Sequence, residues 1–407
     1  MRLPALVLLV LPFYAIQVES AGPAVTKDSG KGLDAKRLAS IPERMKFFVE
    51  KGNIAGSVTL VARHGQIAAL DAVGYTDIEG KQRLRTDAIF QIHSMTKPVV
   101  AIAAMMLMEE GKLSLNDPVE KHLPEFRGMW VIESQDGEVS RKLIRPTRPV
   151  SIRDLMTHTS GMALNPPAGI GELHGALHKT LEEAVLVISQ QPLGFQPGTR
   201  FQYSNTGIAA LARIVEVASG RPFEEFLKTR IFTPLGMKDT FIYPPTQTHG
   251  RMPTAYILQN GKLLKYTADP LGEGAMKFRE GARYPLPEGG LYSTATDLFV
   301  LYQMMLNRGQ YNGVRVLAPS SVEMMTRVHT GDLSSAPGMG YGLAWAVARD
   351  AAAAPLSVGA YGHGGRYGTY CFIDPAKQMI GIFLIHREGG SEERNAFVGM
   401  AMASVLD

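Results

Sequence analysis

Ser94-Met95-Thr96-Lys97, followed at once by Pro98 and the run Val99-Val100-Ala101-Ile102-Ala103-Ala104-Met105-Met106-Leu107, decides how this chain is read. Proline lacks an N–H and is tolerated only in the first turn of a helix, so Pro98 marks a helix start. Residues Pro98 to Glu110 are apolar on nearly every side and stop at Gly111, the pattern of a buried helix closed by a glycine. Ser94 then lies at the N-terminal end, where unpaired backbone N–H groups and the positive dipole end favour developing negative charge. Residues three apart share a helical face, so the Ser94 hydroxyl can meet the Lys97 amine. A serine hydroxyl is a weak nucleophile until a neighbouring base takes its proton. Lysine can do that at neutral pH only when desolvated or placed beside another cation. The tetrad alone recurs by chance; its place at the head of an apolar run, which draws Lys97 towards the core, makes it informative.

Outward from this helix the hydrophobic period changes. Asp34 to Lys51 carries Leu38, Ile41, Met45 and Phe48 at helical spacing. Ser57 to Ala62 and Ile67 to Val73, joined by His64-Gly65, predict an antiparallel strand pair. Ser151-Ile152-Arg153-Asp154 has a capping-box start, and Thr206 to Ala218 predicts a further helix ended by Gly220. After Leu291 the pattern predicts a helix from Ala295 to Asn307 and strands at Tyr341–Val347, Thr369–Ile373 and Met379–Ile385. A terminal helix opens at Ser391-Glu392-Glu393, with acids at its positive end. This order predicts an α+β fold: an antiparallel sheet flanked by helices, plus an all-α subdomain inserted between the strands. The expected boundaries are 34–88 with 282–407 for the discontinuous sheet unit and 89–281 for the helical unit. A ligand belongs in the cleft between them.

Composition narrows the classes. The chain has 407 residues, 45% hydrophobic and 20% charged, which excludes disorder, a coiled coil and a polytopic membrane protein. A net charge of +4 gives no electrostatic footprint for nucleic acid. The single cysteine, Cys371, excludes an intrachain disulfide and is expected to be a small buried hydrophobe in a core strand. Residues 1–20 read as a signal peptide, with Arg2, an apolar stretch from Leu3 to Ile16 too short to span a bilayer, and small residues near Ser20. Export to the periplasm or medium follows, with no stable membrane insertion after cleavage.

Two more groups accompany the tetrad: Tyr203-Ser204-Asn205, immediately before an apolar helix, and His363-Gly364-Gly365, ahead of a strand. In this order the three resemble the serine β-lactamase and penicillin-binding-protein superfamily, and most of all its β-lactamase-like (family VIII) carboxylesterases. Further landmarks are Ile152 to Gly161, Phe195-Gln196-Pro197-Gly198, Pro234-Leu235-Gly236-Met237 and Gly289-Gly290-Leu291-Tyr292-Ser293-Thr294. The resemblance implies that Ser94 is acylated and that Lys97 and Tyr203 relay its proton, the Lys97 cation lowering the tyrosine pKa. Which of the two is the base stays open. It implies that Asn205 hydrogen-bonds Lys97 or the substrate, and that His363, Gly364, Gly365 and Arg366 line the site, the Ser94 and Arg366 N–H groups forming the oxyanion hole. The Arg366 side chain would be either solvated or paired with a substrate carboxylate. No cofactor and no metal are implied, and the partner is a small-molecule ester or β-lactam-like substrate. The oligomeric state is not legible.

One departure separates the alternatives. Histidine stands where β-lactamases carry the lysine of Lys-Thr-Gly, and it is mostly neutral at pH 7. The reading is a serine hydrolase acting through an acyl-enzyme on small carboxylic esters. A β-lactamase, a D-amino-acid peptidase or an acyltransferase are alternatives on the same scaffold, and a non-hydrolytic penicillin-binding sensor is one of another class. No G-x-S-x-G occurs, which excludes an α/β-hydrolase elbow. His174 and His178 have zinc-like spacing but no evident third ligand. Arg141, Lys142, Arg145 and Arg148 read as a solvated basic loop.

Overall fold

A computed structural model describes residues 32–136, 140–166, 177–266, 277–333 and 336–406. The expected signal peptide at 1–20 and His174 lie outside the described residues. Helix α1 (Ala35–Glu50) begins at Asp34, whose carboxylate accepts the amide N–H groups of Lys36 and Arg37. It buries Leu38, Ile41, Met45 and Phe48, the stripe that its spacing predicts. Strands β1 (Gly56–Arg63) and β2 (Gln66–Asp77) follow, joined by His64 and Gly65 at φ of 51° and 77°. Two consecutive positive φ values match the right-handed twist of a hairpin, and Arg63 faces Gln66 across it.

The main sheet has eight strands. Besides β1, β2 and β3 (Gln82–Arg83) it holds β4 (Met339–Tyr341), β5 (Ala346–Ala348), β6 (Tyr361–Gly364), β7 (Tyr370–Asp374) and β8 (Met379–Leu384). Their spatial order is β4-β5-β6-β7-β8-β1-β2-β3, all antiparallel. β1 therefore pairs with β8 across most of the chain, Leu60 opposite Ile382. Every residue of β1 is buried, which requires cover on both faces. Val58, Leu60 and Ala62 join the larger core, whereas Val61 faces a smaller one with α1 and the terminal helix α7 (Ser391–Ala403).

The larger core also contains the helices of the middle segment: α2 (Lys97–Glu109), α3 (Ile152–Thr157), α4 (Leu181–Ser189) and α5 (Asn205–Ser219), together with α6 (Ala295–Leu306). α2 buries eleven of its thirteen residues, as expected of a helix apolar all round. The capping box of α3 is formed: Ser151 Oγ accepts the Asp154 N–H and the Asp154 carboxylate accepts the Ser151 N–H.

Two local expectations are corrected. Tyr341 to Val347 is not one strand but β4 and β5 with a reversal between them. Gly342 N–H donates to the Trp345 carbonyl, and Ala344, at φ 61°, donates its N–H to Met156 at the end of α3. Docking onto α3 bends a segment whose composition favours extension. Arg141 and Lys142 lie in a strand of the hairpin Val131–Asp136/Ser140–Ile144, and Arg148 makes a two-pronged ion pair with Asp154. His363-Gly364-Gly365 stands ahead of β7, as expected, with His363 and Gly364 themselves ending β6. Cys371 is buried in β7, as expected. No helix among the described residues is long and apolar enough to cross a membrane.

The terminal helix is tied to the sheet by a buried pair, Arg387 to Glu393, at 2.9 Å. Removing one partner of such a pair typically costs about 3–5 kcal/mol because the other charge stays buried. Arg387→Ala is expected to lower the unfolding free energy by that order in urea titration. The double variant Arg387→Met/Glu393→Leu should cost far less.

Candidate active site

The chain reaches Ser94 through a single 3₁₀ turn, His93–Thr96, and Lys97 is the first residue of α2. Ser94 is therefore not on the α-helix itself. The i, i+3 argument holds nonetheless, because a 3₁₀ turn eclipses residues three apart. Lys97 Nζ donates to Ser94 Oγ at 2.9 Å and to the Glu288 carbonyl at 2.6 Å. Ser94 is half-buried and Lys97 is wholly enclosed. Burial penalises the ammonium and brings the Lys97 pKa down to about 7, against the opposing pull of Glu288.

Tyr203 enters from the loop before α5, its ring centroid 4.8 Å from Lys97 Nζ. The expectation that the lysine lowers its pKa is not met. Burial pushes the phenol above the usual tyrosine range, and a hydrogen bond with Ser94 only partly offsets this. With Lys97 only partly protonated near pH 7, the positive charge that would favour a phenolate is reduced. His158, left-handed at φ 57° where α3 ends, packs its ring 4.3 Å from that of Tyr203. Its Nδ1 accepts the Ser204 N–H at 3.1 Å, which ties the tyrosine loop to α3. Ser204 caps α5, accepting the Gly207 N–H. Asn205 Nδ2 donates to Asn165 Oδ1 at 2.8 Å, so the expected bond to Lys97 is absent. Asn205 Oδ1 is buried without a hydrogen-bond partner among the described residues.

On the other side, β6 presents His363. Its Nδ1–H donates to the Gly364 carbonyl at 2.8 Å, which leaves Nε2 as the acceptor. Tyr341 OH reaches that nitrogen at 3.1 Å and Tyr203 OH at 3.5 Å. Burial, then the nearby Lys97, press the His363 pKa down to about 3, so the imidazole is neutral. Gly365 follows at the closest approach in the site. A Cβ there would lie 2.1 Å from Thr369 Oγ1 and 2.5 Å from the Ile92 carbonyl. Only glycine lets this loop lie against the segment that leads into Ser94. The side chain of Arg366 turns outward: Nε donates to Glu388 at 2.8 Å, and a terminal nitrogen lies 3.4 Å from Tyr266 OH.

The structure thus gathers Ser94, Lys97, Tyr203 and His363, sets Gly364 and Gly365 beside them, and holds the Asn205 amide and the Arg366 guanidinium on other partners. Sequence reasoning missed His158, Tyr341 and Glu288. His158 sits inside the quoted stretch Ile152 to Gly161 and Glu288 adjoins Gly289-Gly290, so proximity to landmarks was available for both. Tyr341 carries no local signal. A separate cavity of about 930 Å³, lined in part by Glu224, Phe232, Phe241 and Tyr243, shares no residue with this cluster. Chemistry, not hollow volume, marks the site. Among the described residues no cluster of histidine, cysteine and carboxylate groups could hold a metal ion.

The chain is similar over most of its length to known proteins. An esterase of Burkholderia gladioli, EstB, is 31% identical over 374 residues, spanning 84% of this chain and 89% of its own. A "putative D-alanyl-D-alanine carboxypeptidase" of Salmonella typhimurium is 27% identical over 414 residues, spanning 95% and 90%. The solved structure of EstCE1, "a hydrolase with promiscuous acyltransferase activity", superposes with a TM-score of 0.77 at 27% identity, covering 92% of this chain and 98% of that one. The family model described as Beta-lactamase matches residues 41–401, from α1 to α7 and across the whole of this site, and the chain belongs to that family of hydrolases.

Proposed function

We propose that the protein hydrolyses small carboxylic esters through an acyl-enzyme on Ser94, with Lys97 as the general base. The observation that carries this is the enclosed Lys97 amine, 2.9 Å from Ser94 Oγ, with a pKa brought down to about 7. At neutral pH a large fraction of Lys97 is free amine, whereas Tyr203 holds its proton. Lys97 takes the Ser94 proton as Oγ bonds to the acyl carbon, and the carbonyl electrons move onto oxygen. Collapse of that oxyanion breaks the bond to the alkoxide, which takes a proton from Tyr203; Lys97 then returns its proton to the phenolate. Water repeats the sequence on the acyl-enzyme and releases the acid. Ser94 and Arg366 N–H groups stabilise the oxyanion, a contribution worth several kcal/mol in such sites.

The preference for esters rests on charge. A β-lactam or a peptide C-terminus brings a carboxylate, and a cation on the third motif would meet it. Here that position is a neutral, enclosed imidazole, and the Arg366 guanidinium is engaged by Glu388. An ester needs neither. EstB and EstCE1, named an esterase and a hydrolase, support the same reading. The apolar leader at 1–20 supports export, which N-terminal sequencing of the mature protein tests.

Ser94→Ala is expected to abolish both ester turnover and labelling by a fluorophosphonate. An adduct that persists and maps to another serine overturns the assignment. For p-nitrophenyl acetate, kcat/KM should rise with pH through an acid limb centred near 7, because the depressed lysine pKa makes free amine available above that value. Lys97→Ala and Tyr203→Phe should each lower turnover by roughly 10²- to 10⁴-fold, and their combination should be far from additive. In a panel of short esters, nitrocefin and a D-Ala-D-Ala peptide, the esters should be turned over fastest. Nitrocefin or peptide hydrolysis matching ester hydrolysis replaces the ester reading with the β-lactamase or peptidase one.

A further inference from the structure

Tyr341 has no part in the steps above, yet its hydroxyl stands among the reacting groups. The residue ends β4 and is only 3% exposed. Its N–H donates to Thr330 Oγ1 at 3.1 Å, its carbonyl accepts the His329 N–H at 2.8 Å, and it pairs with Ala346 of β5. Its ring centroid lies 5.0 Å from that of His158 and 5.4 Å from that of Phe201. Backbone and ring are both held, and the hydroxyl reaches His363 Nε2 at 3.1 Å.

What it does there follows from counting acceptors. His363 Nδ1 faces the Gly364 carbonyl at 2.8 Å, and a carbonyl only accepts, so Nδ1 carries the proton. The enclosed imidazole is neutral, and its Nε2 therefore offers a single lone pair. Two hydroxyls compete for it, Tyr341 at 3.1 Å and Tyr203 at 3.5 Å. The second distance is long for a hydroxyl donor, so Tyr341 holds the lone pair. Tyr203 carries the proton that the departing oxygen takes. A phenol committed to His363 would have that proton turned away from the substrate.

We propose that Tyr341 is a positioning residue: by donating to His363 Nε2 it fills the acceptor within reach of Tyr203 and leaves the Tyr203 proton for the leaving group. This rests on the reading of Tyr203 as the acid. As the bond from the acyl carbon to the departing oxygen breaks, its electron pair passes to that oxygen, which takes the Tyr203 proton. Tyr341 itself exchanges no proton. Its effect scales with how much the leaving group needs an acid. p-Nitrophenolate is stable enough to depart without one, whereas ethoxide is not. Removing the Tyr341 hydroxyl lets Tyr203 donate to Nε2, which slows acylation by an ethyl ester and spares acylation by a p-nitrophenyl ester of the same acid.

The test measures kcat/KM, which reports acylation, for ethyl acetate and p-nitrophenyl acetate. It uses the full chain as wild type, Tyr341→Phe, Tyr203→Phe and the double variant, with a melting curve for each. Tyr341→Phe is expected to lower the ethyl acetate value by about tenfold and the p-nitrophenyl acetate value by less than about twofold. Tyr203→Phe should lower the ethyl acetate value further, and the double variant should match it, because both act through one proton. A folded Tyr341→Phe that loses as much on the p-nitrophenyl ester as on the ethyl ester overturns the proposal and leaves a packing role; no loss on either overturns it equally. Should Tyr341→Phe not fold, the ¹⁵N resonance of His363 Nε2 in histidine-labelled protein decides. It is expected to be the same in wild type and Tyr203→Phe. A resonance that moves when the Tyr203 hydroxyl is removed shows that Tyr203 holds the lone pair, and overturns the proposal. Equal losses on the two esters in Tyr203→Phe overturn the acid reading itself, and are distinguishable because Tyr341 is intact there.

Discussion

The desolvation of Lys97 is the constraint on which the rest of the site depends. The helix that it begins is apolar on nearly every side and sits in the middle of the larger core, so its first residue is enclosed along with the others. An ammonium there loses its water and, among the described residues, gains the Ser94 hydroxyl and one carbonyl as acceptors. Its charge therefore becomes marginal at neutral pH. The same dry surroundings drive Tyr203 up and His363 and His158 down, and all three end up uncharged. In the Lys97–Tyr203–His363 cluster only Lys97 carries charge near pH 7, and it does so only in part. Fixed dipoles in a low-dielectric setting act most strongly under such conditions.

Holding that cluster together requires segments far apart in sequence. The 3₁₀ turn ahead of α2 delivers Ser94, the loop into α5 delivers Tyr203, and β6 delivers His363. Each contact is secured from behind: His158 fastens the tyrosine loop to α3, Tyr341 from β4 fixes His363, and Gly365 lets the loop after β6 lie against Ile92 and His93. The eight-stranded sheet matters because it fixes β6 relative to the helical segment, and both its faces are packed. Movement of β6 by a fraction of an ångström would disturb the Nε2 acceptor shared by two tyrosines.

The family accommodates esterases, peptidases and acyl-transferring enzymes on one framework, and framework alone does not choose among them. Differences in charge around a common nucleophile do. In this chain the third-motif position is a histidine whose Nδ1 proton is committed to the Gly364 carbonyl. The nearest arginine of that loop is bound outward to Glu388, on the protein surface. Both facts remove positive charge from the place where a substrate carboxylate would arrive.

Some of this was legible without coordinates. The Ser94–Lys97 pair is local, and any helical or 3₁₀ turn brings residues three apart together. Burial of α2 follows from its unbroken apolar run, and the β1–β2 hairpin from two strand-like runs around His64-Gly65. The motif order also identified Tyr203 and His363. Other features depended on partners that no local pattern specifies. The apolar composition of Tyr341 to Val347 favours one strand, and only the hydrogen bond from Ala344 to Met156 shows why it reverses. Asn205 bonds Asn165 and Arg366 bonds Glu388 because of where distant loops come to rest. The choice between Lys97 and Tyr203 as base was closed to sequence reasoning for the same cause. A pKa is set by how much water is excluded and by which charges remain nearby, and both are decided by packing between segments hundreds of residues apart. The sequence by itself determined which groups could react; the tertiary structure decided which of them hold their protons.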